Sequence, residues 1–331
     1  MGKGGDRAIV PPAQLAYDGL CDLVDKSVES VANAVKIGPL PPPILRNSRF
    51  VGSDELRHPP HCMKNIGFIG AGRMATALAR GCVEVNLVAA EQVLASDPHE
   101  ESRTKFASQL EGAQVTADNA AILAACDTVV LAVKPQMMSG VLAGIKPHVE
   151  PRHLLVSIAA GVTLQRLAEQ LPPGTRIIRV MPNTPCLIGL GASAFALDTT
   201  ATADDAATVE RLLESVGKSY EVEEPLLDAV TGLSGSGPAF IYTVIEAMAA
   251  GGVAGGLSPE LALELATQTA AGAAAMLSQT GLSPAELRSH VTSPNGTTLA
   301  GLNALAARDG AAALQAAVEA ATNRSIELGK A

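Results

Sequence analysis

The sequence predicts an α/β protein in which a doubly wound, mostly parallel sheet is followed by an all-α, alanine-rich domain. Three observations support this class. A glycine-rich turn, Gly70-Ala71-Gly72, lies between an apolar run and an amphipathic helix. Short apolar segments alternate with helical patterns as far as about residue 195, which is typical of parallel sheets. From residue 224 onwards the chain reads as helices that are apolar on nearly every face.

Composition and charge restrict the class of protein. The 331 residues are 47% hydrophobic and 2% aromatic, so the core must be aliphatic and alanine-rich. The net charge of −9 argues against nucleic acid or a phospholipid surface as a partner. No run of roughly eighteen apolar residues lacks a charge, so we expect no transmembrane helix. Five scattered cysteines without a C-x-x-C pair are typical of reduced thiols, and we expect a cytoplasmic protein.

Residues 1–62 are interpreted as a flexible N-terminal extension. An amphipathic segment, 12–35, precedes three consecutive prolines, which predict a stiff linker. Transit peptides are basic, whereas this segment contains several acids, so it is not predicted to be one. His58, His61 and Cys62 lack a fourth ligand nearby, so we interpret them as part of a solvated linker and predict no metal site.

A Rossmann-type dinucleotide-binding domain is predicted over residues 63–223. Gly70 permits the tight turn, Gly72 lets a pyrophosphate approach the backbone, and Ala75 lets helix and strand pack closely. The helix start offers free N–H groups to the phosphates. A second strand-like run, 93–97, follows as this fold requires. The alternative is a glycine-rich turn without a ligand.

Six strands are predicted in this domain, and ligands are expected where parallel strands end. The predicted strands are 65–69, 92–96, 127–133, 154–158, 176–180 and 192–196. The residues that follow them include Asp97, Lys134 and the segment 181–185. A helix over about 206–216 is predicted to stop at Gly217.

The second domain, 224–331, is predicted to be a helical substrate-binding and dimerisation domain. Serine and proline mark helix starts near residues 236, 258 and 283, the last with a capping box to Glu286. Helices that are apolar on all faces must be buried, and this domain is too short to bury them alone. We therefore expect an interlocked homodimer or a larger assembly. The alternative is a monomer with a tight alanine core.

The residue types in the helical domain restrict the reaction. Reducing a ketone requires a proton donor, yet this domain has one lysine, Lys330, and one histidine, His290. A 3-hydroxyacid dehydrogenase would be expected to present a lysine from the long helix at 241–252, which has none. The absence favours a substrate that is already protonated, such as an iminium. Two polar loops, 234–238 and 291–298, would suit its carboxylate through backbone N–H groups, unless both are only capping turns.

Six motifs then follow one another in the order of a known family. They lie at residues 67–72, 132–135, 157–163, 181–185, 232–239 and 293–298. From Lys64 to about Gly329 the chain resembles pyrroline-5-carboxylate reductase. The resemblance implies the last step of proline synthesis, in which hydride passes from a nicotinamide to the C=N carbon of 1-pyrroline-5-carboxylate and gives L-proline. It also implies a site completed across a subunit interface.

The resemblance implies a set of substrate residues. They are Glu224, His290, Ser293, Asn295, Gly296, Thr297 and Thr298. Backbone N–H groups of the loop would bind the substrate carboxylate, and Thr298, at the ring nitrogen, is the predicted catalytic residue. Glu224 would favour the positive iminium. The alternatives are a helix-start hydroxyl for Thr298, a solvated surface acid for Glu224 and a packing role for His290. Asn295 replaces a family glycine, and we expect the loop to survive because Asn tolerates left-handed backbone angles.

The resemblance also implies the cofactor residues. They are Ile69, Gly70, Ala71, Gly72, Arg73, Met74, Ser96, Asp97, Asn119, Val133, Lys134 and Ala160. The family implies NADPH. Asp97, however, lies where an acid binds the two ribose hydroxyls of NAD and repels a 2′-phosphate, so NADH is expected to work as well. Arg103 lies close enough in sequence to offset that repulsion.

Two other functions stay open from the sequence. One is a 3-hydroxyacid dehydrogenase-like oxidoreductase, against which the missing helix lysine counts. The other is a non-catalytic dinucleotide-binding regulatory protein, in which the segment 293–298 would be expected to be damaged, whereas it is intact.

Overall fold

The computed structural model describes residues 65–330. The prediction of an extension over residues 1–62, with His58, His61 and Cys62, lies outside them. The strands are β1 Ile66–Ile69, β2 Val93–Ser96, β3 Gln114–Thr116, β4 Thr128–Leu131, β5 Leu154–Ser157, β6 Arg176–Met181, β7 Gly191–Leu197 and β8 Gly217–Glu221. The helices are α1 Arg73–Glu84, α2 Glu100–Gln109, α3 Asn119–Ala125, α4 Met138–Ile145, α5 Leu164–Gln170, α6 Ala203–Glu214, α7 Leu227–Val230, α8 Gly237–Ala254, α9 Pro259–Thr280, α10 Pro284–His290, α11 Thr297–Ala306 and α12 Gly310–Lys330.

The strands form one eight-stranded sheet in the order β3-β2-β1-β4-β5-β6-β7-β8. All neighbours are parallel except β6 and β7, which pair antiparallel. The predicted doubly wound, mostly parallel sheet is confirmed. β1 and β5 are buried throughout, as continuous apolar strands covered on both faces must be. β1 pairs with β2 on one side and β4 on the other, so the strand order reverses at β1, which is where such sheets bind ligands.

Two edge strands and one helix end differ from the prediction. β3 and β8 were not predicted, because both are short, polar and largely exposed. The predicted helix stop at Gly217 is wrong: α6 ends at Glu214, and Gly217 begins β8 instead. A Cβ on Gly217 would clash with the backbone of Gly191, so glycine is needed here for close strand pairing and not for a helix cap.

The polar segment before α8 is helical rather than a loop. Residues Thr231–Gly235 form a π-helical turn that joins α7 to α8. The N–H of Ser236 donates to the carbonyl of Thr231 (2.9 Å), so the expectation of free backbone N–H groups here is wrong at that position. The π turn packs closely on α12, because a Cβ on Gly232 would clash with the side chain of Thr322.

The apolar helices stay exposed in a single chain, as expected of a domain too short to bury them alone. Neither α8 nor α11 contains a buried residue, and Ile241 and Tyr242 are more than half exposed. By length and composition alone, one helical run in the described part of the chain, Glu224–Ala254, could cross a membrane, with a mean hydropathy of 1.3. Extended apolar surface of this kind marks an interaction face.

The described cysteines are free thiols, as expected. Cys82, Cys126 and Cys186 are buried and unpaired. Burial raises the pKa of Cys82 to about 11 and, together with the neighbouring Asp127, raises the pKa of Cys126 to about 12. The thiols of Cys82 and Cys126 therefore stay protonated at neutral pH.

Candidate active site

The glycine-rich turn is fixed by the strand ends around it. The chain leaves β1 and turns at Gly70, whose φ is +101°. A Cβ at Gly70 would lie 2.6 Å from the carbonyl oxygen of Ala132, so only glycine fits. The N–H of Gly70 donates to the carbonyl of Ser96 at the end of β2 (2.7 Å). The ends of β1, β2 and β4 thus hold the turn in place.

The start of α1 is open to a ligand. Gly72 is its N-cap, and no side chain caps the first turn. No atom lies within 4 Å of the point where a Gly72 Cβ would be. Uncapped N–H groups beside free space suit an anionic diphosphate. A cavity of about 590 Å³ begins at Ala71, Gly72 and Arg73 and continues between α1 and α2, where Lys105 lines it.

Asp97 is held by backbone donors at the same turn. Its Oδ2 accepts from the N–H of Ala71 (3.1 Å) and its Oδ1 from the N–H of His99 (2.9 Å). The Arg103 guanidinium donates through Nη1 to the carbonyls of Asp97 (2.8 Å) and Pro98 (3.0 Å). Arg103, in the first turn of α2, therefore contacts the loop that carries Asp97.

The other predicted cofactor residues follow the ends of neighbouring strands. Ser96 is buried, and its hydroxyl donates to Oδ1 of Asn119, the first residue of α3 (2.7 Å). Val133 and the exposed Lys134 follow β4, and Ala160 follows β5. The carboxyl ends of parallel strands lie at one edge of a sheet. The structure therefore gathers these residues and the turn of 69–74 at one edge.

The predicted substrate loop has a defined turn before α11. The N–H of Gly296 donates to the carbonyl of Ser293 (3.1 Å), and Asn295 has a φ of +57°. The expectation that Asn295 adopts a left-handed conformation is confirmed. A Cβ on Gly296 would displace the Ser293 hydroxyl and lie 3.1 Å from the Ser293 carbonyl oxygen, so a small residue is favoured there. Gly296 is the N-cap of α11 without a side-chain cap, so neither Thr297 nor Thr298 serves as the capping hydroxyl.

This loop is open to solvent in a single chain. None of residues 291–298 is buried, and His290, at the end of α10, is exposed as well. The packing role considered for His290 is therefore absent within the chain. α11 packs on α12. The residues of this loop form one compact turn, but a single chain does not shield that turn from solvent.

Glu224 is an ion-paired residue. Its Oε1 accepts from the N–H of Leu164 (2.6 Å) and from Nη1 of Arg179 (3.0 Å). The alternative of a solvated surface acid is wrong, and Arg179 offsets the charge that Glu224 was expected to offer an iminium. Sequence reasoning missed Arg179. An arginine inside an otherwise apolar strand was the available signal, because a buried cation needs an acidic partner.

Asn183 was also missed, although its motif was recognised. It is buried, its Nδ2 donates to the carbonyl of Ser234 (3.1 Å), and its Oδ1 accepts from the N–H of Ala192 (3.0 Å). The motif at 181–185 therefore attaches the π turn to the sheet.

A turn of this kind at the switch point of a parallel sheet, opening onto an uncapped helix, is typical of oxidoreductases that use a nicotinamide dinucleotide, and the chain falls in this class. Residues 224–328 match the family described as pyrroline-5-carboxylate reductase dimerisation, and residues 65–161 match the family described as NADP oxidoreductase coenzyme F420-dependent. The chain belongs to the pyrroline-5-carboxylate reductase family.

The chain matches individual relatives over nearly the whole length of each relative. The chain is 45% identical to pyrroline-5-carboxylate reductase 3 of Mus musculus, over 81% of this chain and 97% of the relative. It is 45% identical to pyrroline-5-carboxylate reductase of Methanosarcina acetivorans, over 81% and 98%. Among solved structures, pyrroline carboxylate reductase of Plasmodium falciparum with NADP bound is 32% identical with a TM-score of 0.72, over 80% and 98%. The pyrroline-5-carboxylate reductase of Coxiella burnetii is 33% identical with a TM-score of 0.76, over 81% and 100%.

Proposed function

We propose that the chain reduces the C=N bond of 1-pyrroline-5-carboxylate to L-proline, the last step of proline biosynthesis, with a nicotinamide dinucleotide as reductant. The observation that supports this most is the similarity to pyrroline-5-carboxylate reductases over nearly their whole length. The substrate loop of this family is complete in residues 293–298, which argues against the alternative of a non-catalytic regulatory protein.

The chain's residues hold the substrate and leave its proton in place. A bound nicotinamide supplies the hydride. The N–H groups at the start of α11 bind the substrate carboxylate, and the Thr298 hydroxyl lies at the ring nitrogen. When hydride adds to the imine carbon, the π electron pair moves to nitrogen, which keeps its N–H. Thr298 first accepts from the iminium N–H and then donates to the product amine, so no lysine or histidine acid is required.

The reaction is tested by following the loss of the near-ultraviolet absorbance of the reduced nicotinamide, with NADPH and with NADH in separate assays. The purified full-length chain is supplied with pyrroline-5-carboxylate, and a 3-hydroxyacid with the oxidised cofactors is the control. We expect turnover of the imine. Turnover of the hydroxyacid alone would indicate the dehydrogenase, and no turnover with either cofactor would indicate the regulatory protein.

We propose NADPH as the preferred cofactor, with NADH accepted. Arg103, which donates from α2 to the Asp97 carbonyl, and the basic residues Arg73 and Lys105 of the adjoining cavity support binding of a 2′-phosphate. The Asp97 carboxylate opposes it and favours the free ribose hydroxyls of NADH.

Replacing Asp97 with asparagine is expected to raise the ratio of kcat/KM for NADPH to that for NADH about tenfold, or ~1.4 kcal/mol. The amide oxygen can still accept from the N–H of Ala71, so the turn stays fixed while the negative charge is lost. Asp97→Ser is the matched variant, because its hydroxyl is too short to reach Ala71 and it should show the same change of ratio with weaker binding of both cofactors. An unchanged ratio in both variants would remove Asp97 from ribose recognition.

We propose that the chains form a homo-oligomer built from interlocked dimers, in which residues 63–223 bind the dinucleotide and residues 224–331 bind substrate and form the dimer. The exposed apolar faces of α8 and α11 and the match of residues 224–328 to a dimerisation family support this. Sedimentation gives the mass. Mixed oligomers of a Gly70→Ala chain and a Thr298→Ala chain should regain activity if each site uses both subunits, and a monomeric active protein would contradict the proposal.

We also propose that the chain binds a small-molecule substrate and its dinucleotide cofactor but neither nucleic acid nor membrane, and that it is cytoplasmic. The net charge of −9 and the acidic residues Asp18, Asp22, Asp25 and Glu29 support this. A fluorescent fusion of the full chain that enters an organelle or a membrane fraction would contradict it.

A further inference from the structure

Arg179 is a buried cation that the proposed reaction does not use. It lies in the middle of β6 and is 4% exposed. β6 pairs with β5 through Ser157 and with β7 through Ala196, so Arg179 is in the interior of the sheet. A buried guanidinium is tolerated only when its charge is paired, so its partners are expected to depend on it.

Its partners lie on the first helical turns of the second domain. Nη1 of Arg179 is 3.0 Å from Oε1 of Glu224, and Nη2 is 3.8 Å from Oδ1 of Asp228. Asp228 also accepts from the hydroxyl of Ser325 on α12 (2.6 Å). Arg179 thus connects the sheet to the beginning of the helical domain directly and to its last helix through Asp228 and Ser325. It also lies between the carboxylates of Glu224 and Asp228.

Glu224 in turn holds the loop that follows β5. Its Oε1 accepts from the N–H of Leu164, the first residue of α5, at 2.6 Å. On the other side of the loop, Gly161 packs on α12, because a Cβ there would lie 3.2 Å from Cβ of Leu328. This loop contains Ala160, one of the residues at the cofactor edge of the sheet.

We propose that Arg179 is a positioning residue, which keeps Glu224 on the N–H of Leu164 and thereby fixes the loop of Ala160 beside the nicotinamide end of the cofactor site. The inference rests on the proposed function. Without the guanidinium, Glu224 and Asp228 repel each other and Glu224 turns towards water. The loop then loses its hydrogen bond to Glu224, while the glycine-rich turn, held by separate strand ends, is unaffected.

The test compares Arg179→Met with Arg179→Met/Glu224→Gln. In the single variant we expect kcat/KM for the imine to fall about 30-fold, because small displacements of positioning groups have effects of this order. Binding of NADPH should weaken about fivefold, while binding of 2′-phospho-ADP-ribose, which lacks the nicotinamide, should stay unchanged. The double variant should recover most of the loss, since the glutamine oxygen still accepts from the N–H of Leu164. The remaining carboxylate, Asp228, keeps its hydrogen bond from Ser325 and no longer has a second carboxylate to repel it.

A purely structural role predicts other results. Binding of NADPH and of 2′-phospho-ADP-ribose would then weaken together, or the double variant would recover none of the lost kcat/KM. Either result overturns the proposal. A folded Arg179→Met enzyme with wild-type kcat/KM and NADPH affinity overturns it as well. If Arg179→Met does not fold, Arg179→Lys replaces it and the same comparison is made with and without Glu224→Gln. The two binding measurements need no turnover. A wild-type chain that does not reduce the imine would therefore overturn the proposed function and leave this test intact.

Discussion

Replacing Gly70 with alanine is expected to weaken cofactor binding at least about 100-fold, or ~2.7 kcal/mol. Gly70 has a φ of +101°, and an alanine Cβ would lie 2.6 Å from the oxygen and 2.9 Å from the carbon of the Ala132 carbonyl. Both contacts are backbone atoms at the end of β4, so they cannot move aside. The turn must shift instead, and its hydrogen bonds to Ser96 and Asp97 shift with it. Fluorescence titration with NADPH measures the loss.

Two further glycine substitutions are matched controls. Gly140 lies on α4 with no atom within 4 Å of its Cβ position, so Gly140→Ala should leave cofactor binding unchanged and stabilise the helix by about 0.5–1 kcal/mol. Gly72→Ala places a methyl group in the open space above the start of α1, so it should weaken cofactor binding without a loss of melting temperature. Wild-type NADPH affinity in Gly70→Ala would show that the turn does not bind the cofactor.

Replacing Thr298 with alanine is expected to lower kcat/KM for the imine at least about tenfold, or ~1.4 kcal/mol of transition-state stabilisation. The Thr298 hydroxyl is not used as a helix cap, since the N-cap of α11 is Gly296 without a side-chain bond. The hydroxyl is therefore available to the substrate nitrogen. Steady-state rates at saturating NADPH measure the effect.

The neighbouring hydroxyls provide the controls for Thr298. Thr298→Ser keeps the hydroxyl and should stay within about threefold of wild type, and Thr297→Ala, one residue earlier on the same helix, should change kcat/KM less than Thr298→Ala. Circular dichroism establishes that α11 is intact in each variant. Wild-type rates in Thr298→Ala would remove this residue from the mechanism.

The sequence predicted the central strands well because their environment is uniform. β1, β4 and β5 are covered on both faces, so they appear as uninterrupted apolar runs. The edge strands β3 and β8 contain polar, exposed residues and show no such signal. Gly217 was misread because a glycine after a helix has two uses, and only the close approach of Gly191 decides between them.

The candidate site divides in the same way. The glycine-rich turn and the segment 293–298 are contiguous, so their residue order alone indicates their use. Arg179 and Asn183 act on partners 45 and 51 positions away in the chain, Glu224 and Ser234, and no local pattern records those pairings. The sequence predicted a loop at the π turn because serine and glycine are typical of loops. The close packing of Gly232 against Thr322 instead requires a small residue within a helix.

The π turn also determines the orientation of the long helix that follows it. A π turn contains an extra residue relative to an α turn, and successive helical residues are about 100° apart around the axis. Removing one residue from Thr231–Gly235 would therefore swing the Ile241 side of α8 by about a quarter of a revolution. Since the side chain of Asn183 donates to Ser234 within the π turn, a change at Asn183 in the first domain would alter which side chains α8 presents to solvent.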